Sequence, residues 1–92
     1  MYQILSYTRQ RAKRLKLIIK PSTRKGKKID VYDKNYKYIT SVGDSKYLDY
    51  PTYLKYYGLK KANERKRLYK IRHKKDRLVK YSRGWFADSL LW

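Results

Sequence analysis

The chain of 92 residues contains no cysteine and one histidine. Disulfides and thiolate metal sites are therefore excluded, and a zinc site, which takes three or four ligands, finds no second histidine. His73 with Asp76 three residues on is half of a metal or general-base pair; alone it reads as a histidine hydrogen-bonded at a helix seam. Acids are scarce too: seven Asp and Glu stand against 26 Lys and Arg, for a net charge of +19. The acids are scattered, and no nucleophile has a recognisable base beside it. These gaps point away from an enzyme, a cofactor and a small-molecule substrate. No GxxxxGK[ST] or GxGxxG occurs, so no glycine-rich loop cradles a nucleotide. No apolar run approaches the ~20 residues of a membrane span. The start, MYQILSYTRQ, lacks the long apolar stretch of a signal peptide. A soluble, intracellular, non-secreted protein is the expectation.

What is present is tyrosine and positive charge. Twelve Tyr stand against two Trp and one Phe. A tyrosine buries a large ring but keeps a hydroxyl that wants a partner or water. The core is thus expected to be thin, with half-exposed rings or rings that finish their burial on another molecule. Residues 1–28 carry ten basic and no acidic side chains, residues 29–59 four of each, and residues 60–92 twelve basic and three acidic. Two basic blocks flank a neutral middle. So much self-repulsion opposes compaction, and extreme basicity marks a polyanionic partner.

The pattern predicts an α+β fold: a small three-stranded antiparallel meander followed by two or three helices. Residues 1–14 form a basic N-terminal arm, helical or disordered in the free protein. Residues 15–92 form a single small domain, with the meander over 15–44 and a helical part over 45–92. The strands fall at Leu15–Lys20, Ile29–Tyr32 and Lys37–Val42, punctuated by Pro21, by Gly26 with its access to positive φ, and by Asp33-Lys-Asn-Tyr36. The apolar face takes Leu17 or Ile18, Ile29 and Val31, and Tyr38 or Ile39. A one-residue slip would swap faces, so the inward parity stays open.

Pro51 suits a first helical turn and Gly58 a helix stop, giving a short helix over 51–57. Its tyrosines, with Tyr47, Tyr50 and Tyr56 nearby, read as core, the alternative being a stacking platform for bases. Leu59–Arg77 has good helix formers and neither Gly nor Pro. At 100° per residue Leu59, Ala62, Lys66, Tyr69 and His73 share one face, and Leu68 and Ile71 a second. Both tryptophans, the phenylalanine and the histidine lie after residue 68. In GWFADSLLW, residues 84–92, the apolar side chains point in all directions if helical. Such a segment is buried, either as an intramolecular plug against the meander and the long helix or inside a partner.

The order of these pieces resembles a set of small basic proteins encoded by large eukaryotic DNA viruses of the phycodnavirus and mimivirus kind. The residues that carry the resemblance are Lys28-Ile-Asp-Val-Tyr-Asp33, Val42-Gly43-Asp44, Asp49-Tyr-Pro-Thr-Tyr53, the tract Arg72-His73-Lys74-Lys75-Asp76 and the ending Gly84-Trp-Phe-Ala-Asp-Ser-Leu-Leu-Trp92. It covers about residues 15–92, and the RHKKD tract with the GWFADSLLW tail is its most specific part. It implies a giant-virus setting, with the protein associated with the virion and located in the host-cell nucleus or cytoplasm during infection. It brings no catalytic residues.

Three partners remain in view. The first is nucleic acid, duplex DNA foremost, bound through phosphates without sequence readout in genome condensation or packaging; no helix-turn-helix, zinc finger or RRM signature argues for base specificity. Its candidate residues are Arg9, Arg11 and Arg14 on the arm, Arg24, Lys25, Lys27 and Lys28 at a hairpin tip, and Arg65, Arg67, Lys70, Arg72, Lys74, Lys75 and Arg77 on or after the long helix. The second is an acidic capsid protein, with this chain as a minor capsid or cement component and Tyr and Trp as interface anchors. An anionic membrane surface ranks last, because no stretch sets a clean apolar face against a basic one.

Overall fold

A computed structural model describes residues 2–92, and the chain divides into two compact units at Tyr47/Leu48. The fold class is α+β, with a three-stranded antiparallel sheet and four α-helices, as expected.

The first helix of the first unit is α1 (Ser6–Arg14), so the basic arm is helical from residue 6 onward, with residues 2–5 outside the helix. Thr8 and Ala12, four residues apart, are its buried positions, and Arg11, Lys13 and Arg14 in the last turn suit the negative end of the helix dipole. Lys16 stops it at φ 58°. The Leu17 amide bonds the Ala12 carbonyl and the Lys16 amide that of Lys13, the pair of bonds that closes a helix on a left-handed residue. Glycine usually holds that place, so nothing in the sequence marked it. The stop consumes residues 15–17, and β1 begins late, at Ile18–Pro21.

β2 (Lys27–Tyr32) lies between β1 and β3 (Tyr38–Asp44). The register sets Ile19 against Val31, Pro21 against Ile29, and Ile29 against Val42. Ile29, Val31 and Val42 have no exposed surface, so they settle the inward parity, with Ile19 rather than Ile18 on their face. A bulge at Val31/Tyr32 sets Tyr38 opposite Tyr32, on the other face, instead of in the core. Ile39 is also exposed.

The second unit begins with α2 (Tyr50–Tyr57). The buried Asp49 carboxylate caps it, accepting from the Thr52 amide at 3.0 Å, and Pro51 occupies the first turn. Gly58 takes φ 89°, which breaks the helix and starts α3 (Leu59–Arg72). α2 and α3 pack together, and the Tyr50 hydroxyl donates to Asn63 at 3.1 Å. Ala62 and Tyr69 are the buried seam of α3; Leu59, on the predicted face, stays exposed. Leu68 and Ile71 lie outward, 41% and 62% exposed.

α3 ends at Arg72, five residues before the expected Arg77. Arg77 instead folds back, its Nε donating to the Lys70 carbonyl at 3.1 Å, and a 3-10 turn covers Asp76–Leu78. Ser82 then caps α4 (Arg83–Leu91), accepting from the Trp85 amide and donating to the Asp76 carbonyl. Gly84 is required here: a Cβ would stand 2.7 Å from the Asp76 Cβ and 2.9 Å from its carbonyl. Phe86, Leu90, Leu91 and Trp92 are buried. The Trp92 ring stacks on Tyr69 at 4.4 Å and 7° and reaches Tyr53 at 6.4 Å, so the apolar ending packs on α3 and α2 within its own unit. Lys70 and Asp88, 2.5 Å apart, tie α3 to α4.

Candidate nucleic-acid interface

The acids of the folded chain are occupied with its own architecture. Asp30 accepts from the hydroxyls of Ser22 and Ser41, both at 2.6 Å. Asp33 accepts from the Asn35 and Lys37 amides, Asp44 from the Lys46 amide and Asp49 from the Thr52 amide. Asp88 meets Lys70, and Asp76 stands 3.7 Å from His73. Six of the seven carboxylates are engaged in this way and the seventh, Glu64, is exposed, so the net charge of +19 stays on the cations essentially undischarged.

The predicted cations divide by burial. In the first unit Arg9, Arg14, Arg24 and Lys25 are exposed, Lys27 is half-buried, and Arg11 is half-buried with its guanidinium over the Tyr7 ring at 5.0 Å. Lys28 is not a tip residue. It lies inside β2, 5% exposed, with its ammonium 5.4 Å from the centre of the Tyr2 ring, because β2 starts two residues earlier than expected. In the second unit Arg67, Arg72, Lys74 and Lys75 are exposed. Lys70 is held by Asp88, and Arg77 by the Lys70 carbonyl. Arg65 is half-buried, with its guanidinium 5.8 Å from the Tyr53 ring centre.

His73 stacks on Tyr69 at 4.4 Å. Burial, assisted by the nearby Asp88 carboxylate, pushes the Tyr69 hydroxyl up to about 12. Among the described residues no cluster of three or more His, Asp or Glu side chains could hold a metal ion, and no helix is long and apolar enough to cross a membrane.

The face of the sheet opposite Ile29 and Val31 was not anticipated. A chain of hydrogen bonds crosses it from Arg24 Nη1 to the Tyr38 hydroxyl (3.1 Å), from there to Ser41 Oγ (2.7 Å), and on to Asp30. The bonds from Ser41 and then Arg24 hold the Tyr38 hydroxyl below its usual pKa. Tyr32 stands 5.5 Å from Tyr36 and 5.9 Å from Tyr38, ring centre to ring centre. The Lys20 ammonium sits over Tyr36 at 4.6 Å, and the hydrogen bond to Tyr36 raises its pKa. Tyrosines 32, 36 and 38 in the sequence hinted at this cluster, but only the bulge brings Tyr38 into it.

No protein-family model matches the chain, and no curated protein or solved structure matches it either.

Proposed function

We propose that this is a non-enzymatic, strongly basic protein that binds nucleic acid through its phosphates without sequence specificity. The carrying observation is the asymmetry between acids spent on caps, turns and a buried network and cations left at the surface of each unit. Densely spaced phosphates are the partner that discharges such a protein, because each contact releases a condensed counterion. The resemblance to basic proteins of large DNA viruses favours genome condensation or packaging in the virion as the setting of this activity, with duplex DNA as the main ligand. The lack of a helix-turn-helix, zinc-finger or RRM signature in the sequence goes with binding that ignores sequence.

A second reading, a cement protein on acidic capsid surfaces, is favoured by one observation. Leu68, Ile71, Leu78 and Val79 are all exposed in the second unit, interspersed with cations, and apolar anchors of this kind fit a protein interface better than a phosphate backbone. Competition separates the two. Two labelled duplexes of unrelated sequence should bind with the same affinity and be displaced by unlabelled duplex at far lower charge concentration than by polyglutamate. Displacement by polyglutamate at equal or lower concentration, or a marked preference for one sequence, would overturn the nucleic-acid reading.

A further inference from the structure

We propose that the polar face of the sheet is a stacking platform for unpaired bases, and that its occupant is a single-stranded nucleic acid. The bases would lie on Tyr36 and Tyr38, and their phosphates on Lys20 and Arg24. This deepens the phosphate-binding reading above and rests on it for the cations; the rings are a separate observation.

The rings are not needed for the core of their unit. Ile29, Val31 and Val42 fill the opposite face, while Tyr36 is 55% and Tyr38 47% exposed. They are nonetheless fixed. The Tyr38 hydroxyl is bonded by Ser41 and Arg24, and Ser41 is anchored in turn on the buried Asp30. Tyr36 is held at φ 65° in a turn whose amides at Asn35 and Lys37 are caught by Asp33. A bulky residue in that left-handed region is strained, and Asn or Gly would hold the same turn at lower cost. What tyrosine adds there is its ring, brought to 5.5 Å from Tyr32.

The ring faces already collect positive charge, with Lys20 over Tyr36 at 4.6 Å and Tyr32 at 5.9 Å. A nucleotide presents a π-face and, one sugar away, a phosphate. It can take the ring while the displaced ammonium moves to the phosphate, so both partners of the existing contact are satisfied again. Duplex DNA cannot use the platform, because its bases are already stacked. An acyl chain would gain little on a face of hydroxyls and cations, and an acidic peptide would use the cations but not the rings.

The test compares the full-length chain on three probes of about 20 units each: oligothymidylate, an abasic strand with the same phosphodiester backbone, and a duplex. Oligothymidylate should bind about tenfold or more tightly than the abasic strand, since each stacked base contributes about that factor. Tyr36→Leu/Tyr38→Leu should abolish the advantage and leave duplex binding unchanged, whereas Tyr36→Phe should keep it. Should the double variant not fold, Tyr36→Leu alone, at an exposed turn, must still lower the advantage. No advantage for oligothymidylate in the native chain, or one that survives these leucine substitutions, overturns the platform. If abasic strand and duplex still bind in that case, the phosphate reading stands; if neither binds, both readings fall.

Discussion

Replacing Arg67, Arg72, Lys74 and Lys75 together with glutamine is expected to weaken duplex DNA binding by about a thousandfold near 0.15 M salt. Each phosphate contact releases about 0.9 counterion, which at that salt contributes about 1 kcal/mol, so four contacts give about 4 kcal/mol. The log–log salt slope should fall in magnitude by about three to four. All four side chains are exposed, and removing them relieves repulsion. The fold should therefore survive, with an unchanged circular dichroism spectrum. Lys70→Gln and Arg77→Gln provide the contrast. Both side chains hold α3 to its surroundings, so these changes should lower stability more than they alter the salt slope. An unchanged slope in the quadruple variant would remove these four side chains from the phosphate contacts.

Phe86→Ala should cost about 3 to 5 kcal/mol and unfold the second unit at moderate temperature. Phe86 is 2% exposed, with Trp85 edge-on at 5.1 Å and Tyr81 at 6.4 Å. The unit runs only from Leu48 to Trp92, and its apolar ending contributes Phe86, Leu90, Leu91 and Trp92 to the buried set. A domain this small has little stability in reserve. Urea titration followed by tryptophan fluorescence reads this unit alone, because both tryptophans belong to it. Tyr56→Ala, at a ring 67% exposed, should stay within about 0.5 kcal/mol of the native chain. Equal losses in the two variants would mean that the apolar ending does not hold the unit together.

The elements marked by local chemistry were legible in the sequence. Asp49, Pro51 and Gly58 bound α2 because a cap, a first-turn proline and a positive φ act over a few residues. Ala62 and Tyr69 could be read as one seam because the helical repeat is local too. The illegible features depend on contacts between distant residues. The bulge that turns Tyr38 away from the core is a property of the β2–β3 pairing, not of either strand alone. α3 stops at Arg72 with no glycine or proline to announce it, and the Arg77 side chain turns back to the Lys70 carbonyl. Lys16 closes α1 in a conformation that its identity disfavours. For the candidate site, net charge was visible at once, but the surface was not. Lys28 belongs to the interior, Lys70 to Asp88, and the tyrosine face to a register that composition does not fix.

The central claim is that this chain cannot discharge its own cations and is built to lie against phosphates. Its most direct test is the affinity for duplex DNA measured by fluorescence anisotropy between about 50 and 200 mM salt. With six to ten phosphates engaged, affinity should fall by about a thousand- to a hundred-thousandfold across that range, with a log–log slope of about −5 to −9. A slope near zero would contradict the account.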